Sequence, residues 1–172
     1  MTAKKTAFYG MFLALALVAG YIEQLLPINL GIPGVKLGLA NIVTMLLLYI
    51  VGVRSAALIT GLRIVLSGCL FGSGFAMAYS AAGAVLSILM MALFKKTGKF
   101  SSTGVSVVGG VFHNIGQILV AMIVLETKAL VYYLPLLLLS GLAAGVVIGV
   151  LSGILVRRLS PVFRQNFLSG RG

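Results

Sequence analysis

The chain contains no aspartate and only two glutamates, Glu23 and Glu126, against 13 Lys and Arg, for a formal net charge of +11. Tryptophan is missing too, and Cys69 and His113 are the only residues of their kinds. Each shortage removes a class of chemistry. A single thiol excludes an internal disulfide and a thiolate metal site. One imidazole without aspartate cannot assemble the usual zinc or magnesium ligand set. A paired carboxylate, a Cys or Ser with a base beside it, and a GxxxxGK[ST] nucleotide loop are also missing from the sequence. The reading is therefore a chain that neither hydrolyses ATP nor acts as an enzyme by itself and carries no cofactor. Stacking of a ligand ring falls to Phe and Tyr, among them Tyr79 and Tyr9.

What the sequence has in abundance is apolar residue. They make up 60% of it, charged residues only 9%, and the mean hydropathy is +1.18. Long apolar runs recur along nearly its whole length, which leaves no room for a soluble domain of ordinary size and indicates a multispanning membrane protein. In a soluble protein so positive a charge suggests nucleic acid. Here the cations sit mainly between apolar runs, so they read as topology signals and not as a nucleic-acid surface. The opening MTAKKTAFYG resembles the basic start of a signal peptide. The run from Thr6 to Pro27 is long enough to span, and no clear small-residue cleavage site precedes the next element, so it reads as a retained first helix.

Punctuation by Pro, Gly and charge divides residues 1–172 into six segments of one integral membrane domain, an all-α bundle. They run from about Thr6 to Leu26, Leu37 to Val53, Ser55 to Gly72, Phe75 to Phe94, Val105 to Leu125 and Ala129 to Val156. The connection INLGIPGVK, rich in Pro and Gly, reads as an ordered outer loop. Lys4, Lys5, Arg54, Lys95, Lys96, Lys99, Arg157, Arg158, Arg164 and Arg171 then fall on one side, and only Lys36 and Lys128 on the other. Because cytoplasmic loops carry the cation excess, both termini are expected in the cytoplasm. The loop KKTGKFSSTG reads as a solvated cytoplasmic turn, with anionic lipid headgroups as a lesser option.

The candidate site rests on polar residues inside these spans. Arg63 and His113 each lie about eight residues into an outward-running helix, at a common depth of roughly 12 Å by helical rise. Asn114 and Gln117 share a face at i, i+3, as do His113 and Gln117 at i, i+4. Asn41 and Lys36 extend the polar column toward the outer surface if the helices pack with these faces together. A cation at this depth costs at least roughly 2.5 kcal/mol and normally faces a partner or water. Glu23 and Glu126 are each expected on the order of 10 Å or more away along the normal. Arg63 is thus a structural tie, a ligand contact or a snorkelling cation. His113, Asn114 and Gln117 are either interhelical glue or a binding cluster. Gly109 and Gly116 share the His113 face and admit either a ligand or a neighbouring helix. Ala3, Ala7, Gly10 and Ala14 form a small-residue stripe, either a packing surface or a docking face for another membrane protein.

Three blocks, GVKLGLANIVTMLLLYIVGVRSA, LRIVLSGCLFGS and GVSVVGGVFHNIGQILVA, resemble the bacterial Gx transporter family, and the likeness extends over nearly all of residues 6 to 156. Members often carry the label heptaprenyl diphosphate synthase component I. The six-helix pattern looks like the substrate-binding S component of energy-coupling factor (ECF) transporters. The resemblance implies a multi-pass protein of the bacterial plasma membrane that captures a small molecule from outside. It also implies a separate transmembrane coupling protein and two ATPases as partners, with Ala3, Ala7, Gly10 and Ala14 as the matching contact positions. The pocket would lie under the loop from Pro27 to Val35 and include His113, Asn114 and Gln117, while Arg63 and Lys36 suggest an anionic or electron-rich cargo. Flavin, an isoprenoid phosphate or quinone precursor, and another vitamin-like anion all fit that description. A non-catalytic subunit of prenyl diphosphate synthesis, or a membrane scaffold that binds quinone or lipid, is the alternative. Prenyl elongation uses Asp-rich motifs to hold magnesium, and this chain has no Asp.

Overall fold

The computed structural model describes residues 3–25, 38–163 and 165. Lys36, Arg164, Arg171 and the expected lid from Pro27 to Val35 lie outside the described residues. Among the described residues there are six α-helices: α1 Ala3–Leu25, α2 Leu39–Ile50, α3 Val53–Phe71, α4 Gly74–Thr97, α5 Ser102–Val124 and α6 Leu134–Phe163. A 3-10 helix, Lys128–Tyr133, leads into α6. Five of the helical stretches are long and apolar enough to cross a membrane. Their outer faces carry exposed Leu15, Val18, Leu58, Leu89, Ile123, Leu139 and Val147. That much exposed hydrocarbon is the surface of a bundle whose solvent is lipid.

The second expected span differs from its sequence reading. α2 has only 12 residues, about 18 Å of helix against a hydrocarbon core of roughly 30 Å. Its side chains explain how so short a helix is accommodated. Ala40, Val43, Thr44, Met45, Leu46, Leu47, Leu48 and Ile50 are all buried, with α1, α3 and α6 packed around them. A helix that is apolar all round belongs inside a protein core, where neighbours rather than lipid surround it. The link to α3 is just Val51 and Gly52, and Gly52 takes a φ of 129°, which a side chain disfavours. The expected last span also divides, since its first turns form the 3-10 helix and α6 continues past Val156 to Phe163.

Local chemistry sets the helix ends. Gly98, with φ 68°, terminates α4 in the left-handed conformation that glycine adopts most readily. Ser101 then caps α5 by accepting from the Gly104 N–H at 3.2 Å, as Ser73 caps α4 through Ala76 at 3.2 Å. Lys4, Lys5, Arg54, Lys95, Lys96, Lys99, Arg157 and Arg158 fall at or near helix ends on one side of the bundle, with Lys128 on the other. On the basic side Phe8 and Phe12 of α1 meet Phe163 of α6 at centroid distances of 5.3 and 5.5 Å. Tyr9 hydrogen-bonds Ser55 at 2.9 Å. Lys95 donates to the Leu48 carbonyl at 2.5 Å and lies 4.8 Å from the Tyr49 ring centroid. One end is thereby knitted by rings and cations, in agreement with the one-sided charge pattern.

Two glycine-based contacts bring α4, α5 and α6 together. Along α6, Gly141, Gly145, Gly149 and Gly153 recur every fourth residue, one ridge of the helix. A β-carbon at Gly141, Gly145 or Gly149 would sit 2.6–2.8 Å from α5 at the Gly110 carbonyl, Val107 or Thr103 respectively. On the opposite side of α5, a β-carbon at Gly116 would lie 2.6 Å from the Ala82 carbonyl of α4. Backbones this close gain dispersion contacts that larger side chains would prevent, the usual basis of helix association in lipid.

Candidate ligand cavity

Toward the end opposite most of the basic residues, the six helices line a cavity of about 190 Å3. Its wall draws on the last turns of α1, the first turn of α2, the second half of α3, the first turns of α4, the middle of α5 and the first half of α6. Arg63, His113, Asn114, Gln117 and Asn41 all line it. The polar faces that the sequence placed on three separate helices therefore meet.

Arg63 projects from α3 with Nε buried and without a hydrogen-bond partner among the described residues. Its Nη1 lies 3.8 Å from where a β-carbon on Gly20 would stand. The guanidinium thus sits beside α1, where the residue facing it has no side chain. Glu23, three residues further along α1, also lines the cavity and acts electrostatically on Arg63. The two charged groups therefore line one cavity, although Glu23 was expected about 10 Å or more from Arg63 along the normal. Helical rise places α-carbons, whereas Arg63 carries its charge laterally to the level of Gly20, roughly 4.5 Å of rise from Glu23. The Glu23 carboxylate accepts the N–H of Gly38. Gly38 has φ 75° and begins α2, so the acid fastens the end of α1 to the start of α2 at the cavity wall.

Three α5 residues serve packing and lining together. Asn114 Nδ2 donates to the Leu137 carbonyl at 2.5 Å and reaches Ser140 Oγ at 3.4 Å, while Ser140 donates to the same carbonyl at 2.8 Å. Gln117 is buried. Both Gln117 Cγ and His113 Cε1 lie 2.9 Å from the position of a β-carbon on Gly83 of α4, so the absence of a side chain there admits them. Gly109 and Gly116 meet α4 at Met91 and Ala82. The helix-packing reading of those two glycines is the one observed.

Tyr79 does not line the cavity. Ala76, Met77 and Ser80 do, and Tyr79 points about 100° round α4 from their mean direction. Its ring lies 5.9 Å from that of Phe75. Ser67, Ser80 and Ser140 contribute hydroxyls that the sequence reading did not single out. Serine is common enough in membrane helices that only the neighbours of these three distinguish them. A smaller space of about 20 Å3 shares Asn41, Gly110, His113 and Ile148 with the cavity and continues between Thr44, Thr60, Ser87 and Ser106. That is room for about one water, beside a Thr44–Thr60 hydroxyl pair at 2.9 Å.

Ala3, Ala7, Gly10 and Ala14 lie elsewhere, on an exposed face of α1. A β-carbon on Gly10 would meet nothing within 4 Å. Their neighbours Phe8, Phe12 and Ala16 are the buried face of the same helix. Among the described residues, no group of three or more His, Cys, Asp or Glu comes together to hold a metal ion.

Five long apolar helices, a buried short one and a polar cavity at one end define a multi-pass helical membrane protein. The model of one family, heptaprenyl diphosphate synthase component I, matches residues 12–155, and the chain belongs to that family. No curated protein and no solved structure matches it.

Proposed function

We propose that this protein is the substrate-binding membrane component of an ECF-type importer, holding a small molecule in the cavity walled by Arg63, Asn41, His113, Asn114 and Gln117. The observation that carries the reading is that Arg63 lines that space while its Nε is buried without a hydrogen-bond partner among the described residues. A buried donor left without an acceptor costs about 1–3 kcal/mol, and more when charged. A structural arginine would be expected to have found a carbonyl, whereas a binding arginine awaits an acceptor from its cargo. Anionic or electron-rich groups suit it. The cavity's place away from the basic end agrees with capture from outside under the positive-inside rule. The exposed Ala3, Ala7, Gly10 and Ala14 face supports contact with a transmembrane coupling protein, with ATPase subunits supplying the energy, in the bacterial plasma membrane.

The family description favours a second reading, a non-catalytic membrane subunit associated with prenyl diphosphate synthesis or membrane redox proteins. Native mass spectrometry of protein gently solubilised from its own membranes separates the two. Wild type is expected to retain a specific small molecule that Arg63→Ala lacks. Lipid alone, equal in both proteins, would refute the importer reading and return Arg63 to a structural role.

A further inference from the structure

Glu23 is the cavity residue whose chemistry the importer reading does not use. It stands one helical turn from Gly20 on the same side of α1, and Gly20 is where Arg63 brings its guanidinium. Arg63 and Glu23 are the only Arg, Lys, Asp or Glu among the described residues that line the cavity. Their formal charges cancel. Prenyl diphosphates and other polyanions are ordinarily held by several cations, by bound magnesium or by helix N-termini; α2 and α4 do begin at this cavity, but Glu23 takes the Gly38 N–H and Ser73 takes the Ala76 N–H. A single arginine with a carboxylate in electrostatic range offers the opposite environment, repelling the second and third negative charges of such a ligand.

We infer that Glu23 is the charge-selecting residue of the cavity, so that the cargo carries no net charge and presents both an acceptor to Arg63 and a donor to Glu23. Zwitterions and neutral ureide or imide rings both have this character. The first offers carboxylate and ammonium, the second a carbonyl beside an N–H. One carboxylate oxygen of Glu23, Oε1, already takes the Gly38 N–H, which fixes the group's orientation; Oε2 is the oxygen assigned to the cargo. The cavity volume of about 190 Å3 suits a compact body of this kind. The inference rests on the binding role proposed above and narrows it.

The test uses full-length protein from its native membranes and the variants Glu23→Gln, Glu23→Asp and Arg63→Lys. Glu23→Gln keeps a carbonyl for Gly38 but removes the charge, and Glu23→Asp keeps the charge should the glutamine protein fold poorly. Native mass spectrometry is expected to find an Arg63-dependent molecule without net charge, retained by Glu23→Asp and depleted at least ~10-fold in Glu23→Gln, the scale of one charge-assisted hydrogen bond. Isopentenyl diphosphate, titrated as a polyanionic probe, is expected to bind Glu23→Gln at least ~10-fold more tightly than wild type. An Arg63-dependent polyanion in wild type, or equal probe affinity in the two proteins, absence of binding included, overturns the charge inference while the cavity keeps its binding role. Recovery of no small molecule that differs between wild type and Arg63→Lys or Arg63→Ala removes both. A neutral ring and a zwitterion are told apart by the mass of the released molecule.

Discussion

Gly110→Ala adds one methyl group to the tightest point of the α5–α6 contact. The new β-carbon would stand 2.3 Å from the Gly141 carbonyl oxygen, whereas ordinary contact begins near 3.4 Å, so the helices must separate locally by about 1 Å. The obstacle is backbone, and no rotamer change relieves it. A radial gap of 0.5–1 Å already forfeits roughly a quarter to a half of each dispersion contact, and overpacking of this kind costs about 1–3 kcal/mol. Alanine also recovers up to about 1 kcal/mol of helix propensity over glycine. Gly61→Ala cancels that gain, because it makes the same exchange within α3 where nothing lies within 4 Å. Relative to this control, Gly110→Ala should lose about 1–3 kcal/mol, read as a lower thermal midpoint of helical circular dichroism in detergent. It should also disturb the cavity, since Gly110, Gly141 and Asn114 line it. Equal midpoints for the two variants would refute the argument that backbone apposition, rather than general apolar packing, joins α5 to α6.

Thr44→Val or Thr60→Val alone should destabilise by about 1–2 kcal/mol by orphaning the other buried hydroxyl, while the double variant should lie close to wild type; additive losses in a double-mutant cycle would contradict this. Gly20→Ala should be tolerated, because its β-carbon meets Arg63 at 3.8 Å, whereas Gly20→Leu should fill the space beside the guanidinium and lower retention of the co-purified molecule at least ~10-fold. Unaltered retention in Gly20→Leu would show that the space beside Arg63 is not where it binds. Gly10→Leu, on the exposed face of α1, should leave thermal stability within about 0.5 kcal/mol of wild type yet reduce co-purification of membrane partners. A fall in stability with partners intact would make the stripe a packing surface.

Membrane residence, the approximate spans and the one-sided distribution of cations were legible in the sequence, because these depend on how much apolar residue occurs in a row and where charge interrupts it. Gly98 and Ser101 likewise announce a helix end and a helix start through conformational preference and capping that act within a few residues. Counting along the helices placed Arg63 and His113 at a common depth, and both line the cavity. Which helix would be central was not legible in the same way. α2 reads as one more span, and only its enclosure by α1, α3 and α6 shows why it is short. Tyr79 and Glu23 mark the same boundary from opposite directions. An aromatic residue of suitable type turned away because α4 presents Ala76, Met77 and Ser80 to the cavity. A carboxylate separated from Arg63 along the helix axis shares its cavity because Arg63 extends sideways to the glycine at position 20. Depth along a helix is a property of the chain, whereas azimuth and lateral reach depend on which neighbour each face packs against. The sequence by itself therefore determined a helical membrane protein with uncommon polar residues, and tertiary packing alone decided that five of them, joined by Glu23, surround one cavity.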